Sequence, residues 1–212
     1  FVGALAGLYK YYGSGQQPLA NFPPPEPAGT PYYTQAKVEQ ENNERTQVTV
    51  RIHAVPVHPP RFVTGLKARY FFNISELVAR NQSISDVSMQ IMYDEQASTY
   101  GGAARLVGPL AWDAANGIYY VELDWSANSI YGKRDLQFAL VARQASDYRA
   151  YWDPTNDWSR QGLSTTALTT TTYITVYLDG TRVYGQEPAG GTQATATPTR
   201  TPTPGPTPTP TR

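Results

Sequence analysis

Gln47-Val48-Thr49-Val50-Arg51-Ile52-His53-Ala54 is the stretch that decides the fold class. Val48, Val50, Ile52 and Ala54 alternate with Thr49, Arg51 and His53. Successive side chains of a strand point to opposite faces, so period two with one apolar set marks a half-buried strand. Such strands belong to antiparallel sheets, which cover a core on one side and meet water on the other. The same alternation recurs in Leu66, Ala68, Tyr70, Phe72 and Ile74, and in Val87, Met89, Ile91 and Tyr93. It returns in Tyr119, Val121, Leu123 and Trp125, then in Leu136, Phe138 and Leu140. Tyr173–Leu178 and Thr181–Tyr184 flank Asp179-Gly180, a pair suited to the two positive-φ positions of a tight hairpin. Strands do not alternate with helical segments, which argues against an α/β fold. The expected class is all-β, an antiparallel β-sandwich.

Outward from this block the pattern changes. Residues 1–13 have helical spacing, with Leu5, Leu8, Tyr9 and Tyr12 on one face and Gly13-Ser14-Gly15 as the stop. So short a helix is marginal alone and needs another surface to lean on. Phe1–Tyr9 has neither an initiator Met nor a basic leader and reads as the end of a preceding unit, not as a signal peptide. Residues 14–31, with Pro23-Pro24-Pro25 and Pro27, read as a semi-rigid polyproline II linker. Residues 32–188 form the sandwich. In 189–212, fifteen of 24 residues are Thr or Pro, so a disordered C-terminal tail leading to a further module is expected.

Composition removes several function classes. Lys and Arg number 17, as do Asp and Glu, which leaves no electrostatic footprint for nucleic acid or an anionic membrane. No Cys is present, so disulfides, thiolate metal sites and Cys nucleophiles are excluded. Two His disfavour a zinc centre. No run approaches the roughly 18 apolar residues of a membrane span.

Three constellations carry possible chemistry. The first is Trp152-Asp153-Pro154-Thr155-Asn156-Asp157-Trp158. Pro154 fixes its own φ and pushes Asp153 out of the helical region, and Asn156 and Asp157 are turn formers. Several oxygens converge on such a turn. It either holds a hard cation such as Ca²⁺ or closes on itself as an Asx turn. The second is a polar strip of Lys133, Asp135 and Gln137 on a strand whose other face is apolar. Repeating donors and acceptors suit a sugar chain, and Tyr120, Glu122 and Asp124 extend the strip if the strands are neighbours; an ordinary solvated sheet face is the alternative. The third is carboxyl pairing for glycosidic hydrolysis, with Asp113, Glu122, Asp124, Asp153 and Asp157 as candidates. Glu122 and Asp124 share a strand face, but no pair stands out. His53 and His58 read as surface residues. No exposed row of aromatics is evident among the four Trp, although Tyr148 and Tyr151 are candidates for exposure.

Leu66–Glu76, Gly117–Leu123, Leu136-Gln137-Phe138, Trp152–Leu163 and the Gly180–Gly185 hairpin together resemble family 3 carbohydrate-binding modules over residues 32–188. The likeness is to the "c" subgroup, which is fused to family 9 glycoside hydrolases. Residues 1–13 resemble the last helix of a family 9 catalytic domain. The resemblance implies a jelly-roll sandwich of about nine strands with one structural Ca²⁺. It implies ligands from Asp153, Asn156 and Asp157, from Asn73, and from Ser75 or Glu76. It further implies that Lys133, Asp135 and Gln137, with Tyr120 and Glu122, hold a cellulose or other β-1,4-glucan chain. The expected role is a secreted, non-catalytic module that feeds one glucan chain to a neighbouring endoglucanase and makes it processive. A structural sandwich that stabilises and spaces the catalytic domain is the alternative. The subgroup's departure from flat-cellulose binding is expected too, since the position of the planar strip's Trp falls near Arg149.

Overall fold

The computed structural model describes residues 1–13, 30–55 and 61–191. The linker at 14–29, His58 and the tail from 192 onward lie outside the described residues. The N-terminal segment forms helix α1 (Val2–Tyr12), none of whose residues is buried. Leu5, Leu8, Tyr9 and Tyr12 are exposed.

The rest is two five-stranded antiparallel sheets packed face to face, the jelly-roll sandwich expected. The first sheet has the order β4 (Val87–Asp94), β7 (Gly132–Ala142), β2 (Arg45–Ala54), β1 (Tyr32–Glu41), β8 (Thr169–Thr171). The second runs β10 (Thr181–Tyr184), β9 (Thr175–Leu178), β3 (Leu66–Asn73), β6 (Ile118–Asp124), β5 (Arg105–Asp113). Strands adjacent in sequence often fall in different sheets. A one-turn helix α2 (Ser75–Val78) follows β3.

Alternation predicts the core. Val48, Val50, Ile52 and Ala54 of β2 are sealed from water, as are Leu66, Ala68, Tyr70 and Phe72 of β3, Val121 and Leu123 of β6, and Leu136, Phe138 and Leu140 of β7. Tyr70 and Phe138 meet edge to face across the two sheets, with ring centroids 5.5 Å apart. Trp125 is fully buried. Each such side chain contributes about 1.5–3 kcal/mol by leaving water. The β9–β10 hairpin turns at Asp179 and Gly180, both at positive φ (49° and 80°). That is the primed turn whose twist matches the flanking strands.

Strand β4 departs from the expected alternation. A bulge between Ile91 and Tyr93 changes its register against β7. One extra residue reverses the phase of a period-two pattern. Tyr93 therefore pairs with Gln137 on the outer face instead of following Val87 inward, and Ile91 is exposed at the edge.

Candidate functional site

The outer face of the first sheet carries a groove. Alternation places Lys37 and Glu39 of β1, Thr49 and Arg51 of β2, and Lys133, Asp135 and Gln137 of β7 on this side. Lys37, Glu39, Thr49, Asp135 and Gln137 line an open cavity of about 400 Å³, walled by Tyr93 on one side and by Thr166–Leu168 on the other; Lys133 and Arg51 are not among its lining residues. The polar side chains hold one another in place. Arg51 donates two bonds to the Asp135 carboxylate (2.6 and 2.7 Å). This fork raises the Arg51 pKa above its ordinary value. Gln137 donates to the Thr49 hydroxyl at 3.3 Å, and Thr49 donates to Glu39 at 2.6 Å. Lys37 pairs with Glu39 at 2.8 Å. Burial disfavours the Glu39 charge, but the bonds from Lys37 and Thr49 outweigh it and its pKa lies below the usual range. At one end, Tyr33 and His53 stack with centroids 4.1 Å apart, and His53 Nε2 lies 2.9 Å from Gln35.

Sequence reasoning missed Lys37, Glu39, Thr49, Tyr93 and Thr166–Leu168 among the lining residues, and Glu95 beside them. Glu95 precedes a short π-helical segment, Gln96–Tyr100, and accepts the Asp135 backbone N–H at 2.9 Å. Its carboxylate also stands 3.9 Å from Lys133 Nζ. Tyr93 reaches the groove only because of the β4 bulge. Local alternation counts Tyr93 with the inward set and gives no sign of Glu95, because both are placed by contacts with β7.

Tyr120 and Glu122 do not join this strip. Strand β6 belongs to the second sheet, so Tyr120, Glu122 and Asp124 face outward on the opposite side of the sandwich. The condition that their strand neighbours the Lys133 strand is not met, because the chain crosses between sheets from β6 to β7. Glu122 is buried there and accepts bonds from Lys67 (2.7 Å) and Arg69 (3.2 Å). The Arg69 guanidinium lies over the rings of Tyr120 and Tyr177, at 4.6 and 4.2 Å.

The turn at 153–157 sits where β3 runs out of partners. β9 pairs with β3 only from Leu66 to Arg69. Beyond it, the Phe71 N–H donates to the Ser159 hydroxyl (2.8 Å) and the Asn73 N–H to Asp157 Oδ1 (2.9 Å). The turn thus replaces a missing strand, which is why Asp157 is fully buried. Trp152 and Trp158 fasten it: Trp152 Nε1 donates to Thr46 (2.7 Å), and the Trp158 ring meets Tyr173 edge-on.

Asn73, Glu76, Asp153, Asn156 and Asp157 are brought together here. Glu76 accepts from Asn156 Nδ2 (2.8 Å) and from the Asp153 N–H (3.3 Å). Ser75 enters through its backbone N–H, which donates to Asn73 Oδ1 at 2.7 Å. Asp157 Oδ2 is buried with no hydrogen-bond partner. Burial, with the added charges of Glu76 and Asp153, pushes the Asp157 carboxyl well above the usual range. Burial and Asp153 raise Glu76 also, against the bond from Asn156. An orphaned carboxylate oxygen beside two further carboxylates lacks a positive charge, and a hard cation fits that deficit. Among the described residues no three carboxylate or imidazole groups come close enough to hold an ion by themselves. Amide and backbone carbonyl oxygens would have to complete the shell.

Comparison with known proteins agrees with this architecture. Residues 33–185 match the family described as cellulose binding domain, CBM_3. The chain is 32% identical over 195 residues to endoglucanase A of Bacillus pumilus, covering 89% of this chain and 28% of that protein. It is 33% identical over 200 residues to endoglucanase B of Cellulomonas fimi, covering 91% and 17%. Endoglucanase CelQ from Clostridium thermocellum, solved in complex with cellotriose, superposes with a TM-score of 0.66 at 30% identity, covering 90% of this chain and 31% of that one. The fold and the family match define a non-catalytic polysaccharide-binding module. The chain belongs to the cellulose binding domain family CBM_3. It spans under a third of the length of each of these relatives.

Proposed function

We propose that this module lays a single β-1,4-glucan chain along the outer face of the first sheet and presents it to the catalytic domain of a longer, secreted endoglucanase of family 9, promoting processive hydrolysis. The "c" subgroup placement belongs to this reading. The carrying observation is the groove of about 400 Å³ walled by Tyr93, with Asp135 and Gln137 on its floor. Its polar groups sit on rigid strands, which keeps the ordering cost of binding low. No Trp offers a flat platform: Trp112, Trp125 and Trp152 are buried, and Trp158 commits its N–H to Gln186. This favours a chain in a groove over a crystalline surface. The structural alternative draws on one observation, that the groove's side chains already satisfy one another. Retention of the full chain on amorphous cellulose separates the two. Gln137→Ala is expected to lower retention about fivefold, the equivalent of one neutral hydrogen bond. Equal retention with an unchanged melting temperature would leave only the structural role.

A structural Ca²⁺ held by Asp157, Glu76, Asp153, Asn156 and the Asn73 carbonyl completes the proposal, supported by the orphaned Asp157 oxygen. Bound there, the ion would supply the positive charge that the carboxylates lack. Chelation should lower the melting temperature by roughly 5–10 °C, reversibly on Ca²⁺ addition, if the site is occupied at about 100 times its Kd. A melt indifferent to chelator would remove the ion.

A further inference from the structure

The segment after β10 does not leave the sandwich. Gln186 donates its N–H to the Thr172 carbonyl (2.7 Å), and its own carbonyl accepts from Trp158 Nε1 (3.1 Å). Glu187 is buried and accepts from the Tyr177 hydroxyl of β9 and from Arg182 of β10. Burial and the Glu187 carboxylate push the Tyr177 phenol up to about 12, so it stays protonated and donates. Pro188 is buried, and its carbonyl accepts from Trp112 Nε1 of β5 (3.2 Å). Gly191 lies so close to the Trp112 ring that a Cβ would stand 2.4 Å from it, and a Cβ on Gly190 would meet Asp113 at 2.4 Å. Gly190 and Gly191 have positive φ, at 88° and 65° respectively.

The sheet order is β10-β9-β3-β6-β5. A segment fastened to β9 at one end and to β5 at the other has to cross β3 and β6. Between those strands lie three spacings of about 4.8 Å, a distance that four or five extended residues span. Phe71, an outward-facing residue of β3, is sealed from water beneath Trp112 (ring centroids 5.2 Å apart, edge to face) and Tyr120 (5.6 Å), and Trp112 is the ring whose N–H the segment holds. The family match ends at residue 185, just before this segment. The tail expected from residue 189 onward therefore begins with three residues seated on the sheet.

We infer that Gln186–Gly191 is an anchoring strap, seated on a cation and aromatic surface made by Trp158, Tyr177, Arg182 and Trp112. It closes the outer face of the second sheet and fixes where the chain leaves the module. The exit lies at the β5 edge, on the sheet opposite the groove. Two indole N–H bonds and a buried carboxylate are a strong fastening for six residues, since a bond to a charged group exceeds a neutral one.

The test uses the full chain, whose lack of cysteine makes Ala189→Cys a unique labelling position. A nitroxide there should attenuate the indole signal of Trp112 and the amides of Asp113 and Tyr120, leaving those of Asp135 and Gln137 sharp. In parallel, Glu187→Ala should speed hydrogen exchange of the Trp112 indole about tenfold or more, through the loss of two charge-assisted bonds that seat the strap, while Trp125 and Trp152 are unchanged. Attenuation spread over both faces, or Trp112 exchange insensitive to Glu187, would overturn the strap. Should Glu187→Ala fail to fold, Glu187→Gln supplies the same exchange comparison.

Discussion

The two outer faces of the sandwich are built from the same materials and end in different states. Each has an arginine bonded to a carboxylate across neighbouring strands, Arg51 with Asp135 on the first sheet and Arg69 with Glu122 on the second. Each has tyrosines and a lysine beside the pair. Yet the first face stays open as a groove, and the second is covered. Arg69 is layered on Tyr120 and Tyr177, Trp112 packs over Phe71, and the 186–191 strap crosses above. The side chain of Asp124 on that face is only 2% exposed, against 16% for Asp135. A polar strand face is therefore not in itself a ligand face. What decides is whether another segment of the chain lies down on it.

This contrast can be broken in a defined order. The largest effect is expected from Arg69→Ala, which strips a half-buried cation from two rings and from buried Glu122. A loss of about 3 kcal/mol, or roughly 10 °C in melting temperature, should follow, with cellulose retention of the folded protein unchanged. Arg51→Ala should be gentler on stability, about 1 kcal/mol or less for a partly solvated pair. It should instead reduce glucan retention, because Asp135 loses the fork that orients it. Parallel melts and retention assays check both variants, and equal destabilisation would erase the distinction between the faces. The smallest effect concerns His53. Burial first, then the charge of Arg51, lowers its pKa. The folded state thus prefers neutral His53; the associated stability is present above the ordinary pKa of about 6.5 and lost as pH falls through the lower folded value. Melting curves of His53→Gln should show a shallower decline below that pH than the parent chain. An identical decline would mean that His53 is as solvated in the fold as in the unfolded chain.

The core was legible because it depends on local alternation. Val48 to Ala54, Leu66 to Phe72 and Leu136 to Leu140 need no knowledge of their partners to show which side is apolar. The Asp179-Gly180 hairpin was legible for a similar reason, since its backbone demands are local. Strand β5 escaped notice because Gly108-Pro109 breaks its alternation, and β8 because three threonines carry none. The oxygens of residues 73–76 and 153–157 could be paired through a family resemblance. That Asp157 is sealed in with an unpartnered oxygen follows only from β3 outrunning β9.

From the sequence alone, then, come the sandwich, its inward residues, its closing hairpin and the polar strip of Lys133, Asp135 and Gln137. Tertiary structure alone decided which strip faces a groove and which a strap. It placed Tyr120 and Glu122 on the far sheet, brought Tyr93 to the groove and Glu95 against Asp135 beside it, and laid residues 186–191 over Trp112. The physical reason is that period two fixes the side of a strand on which a residue sits, while crossovers, bulges and covering segments are set by contacts distant in sequence.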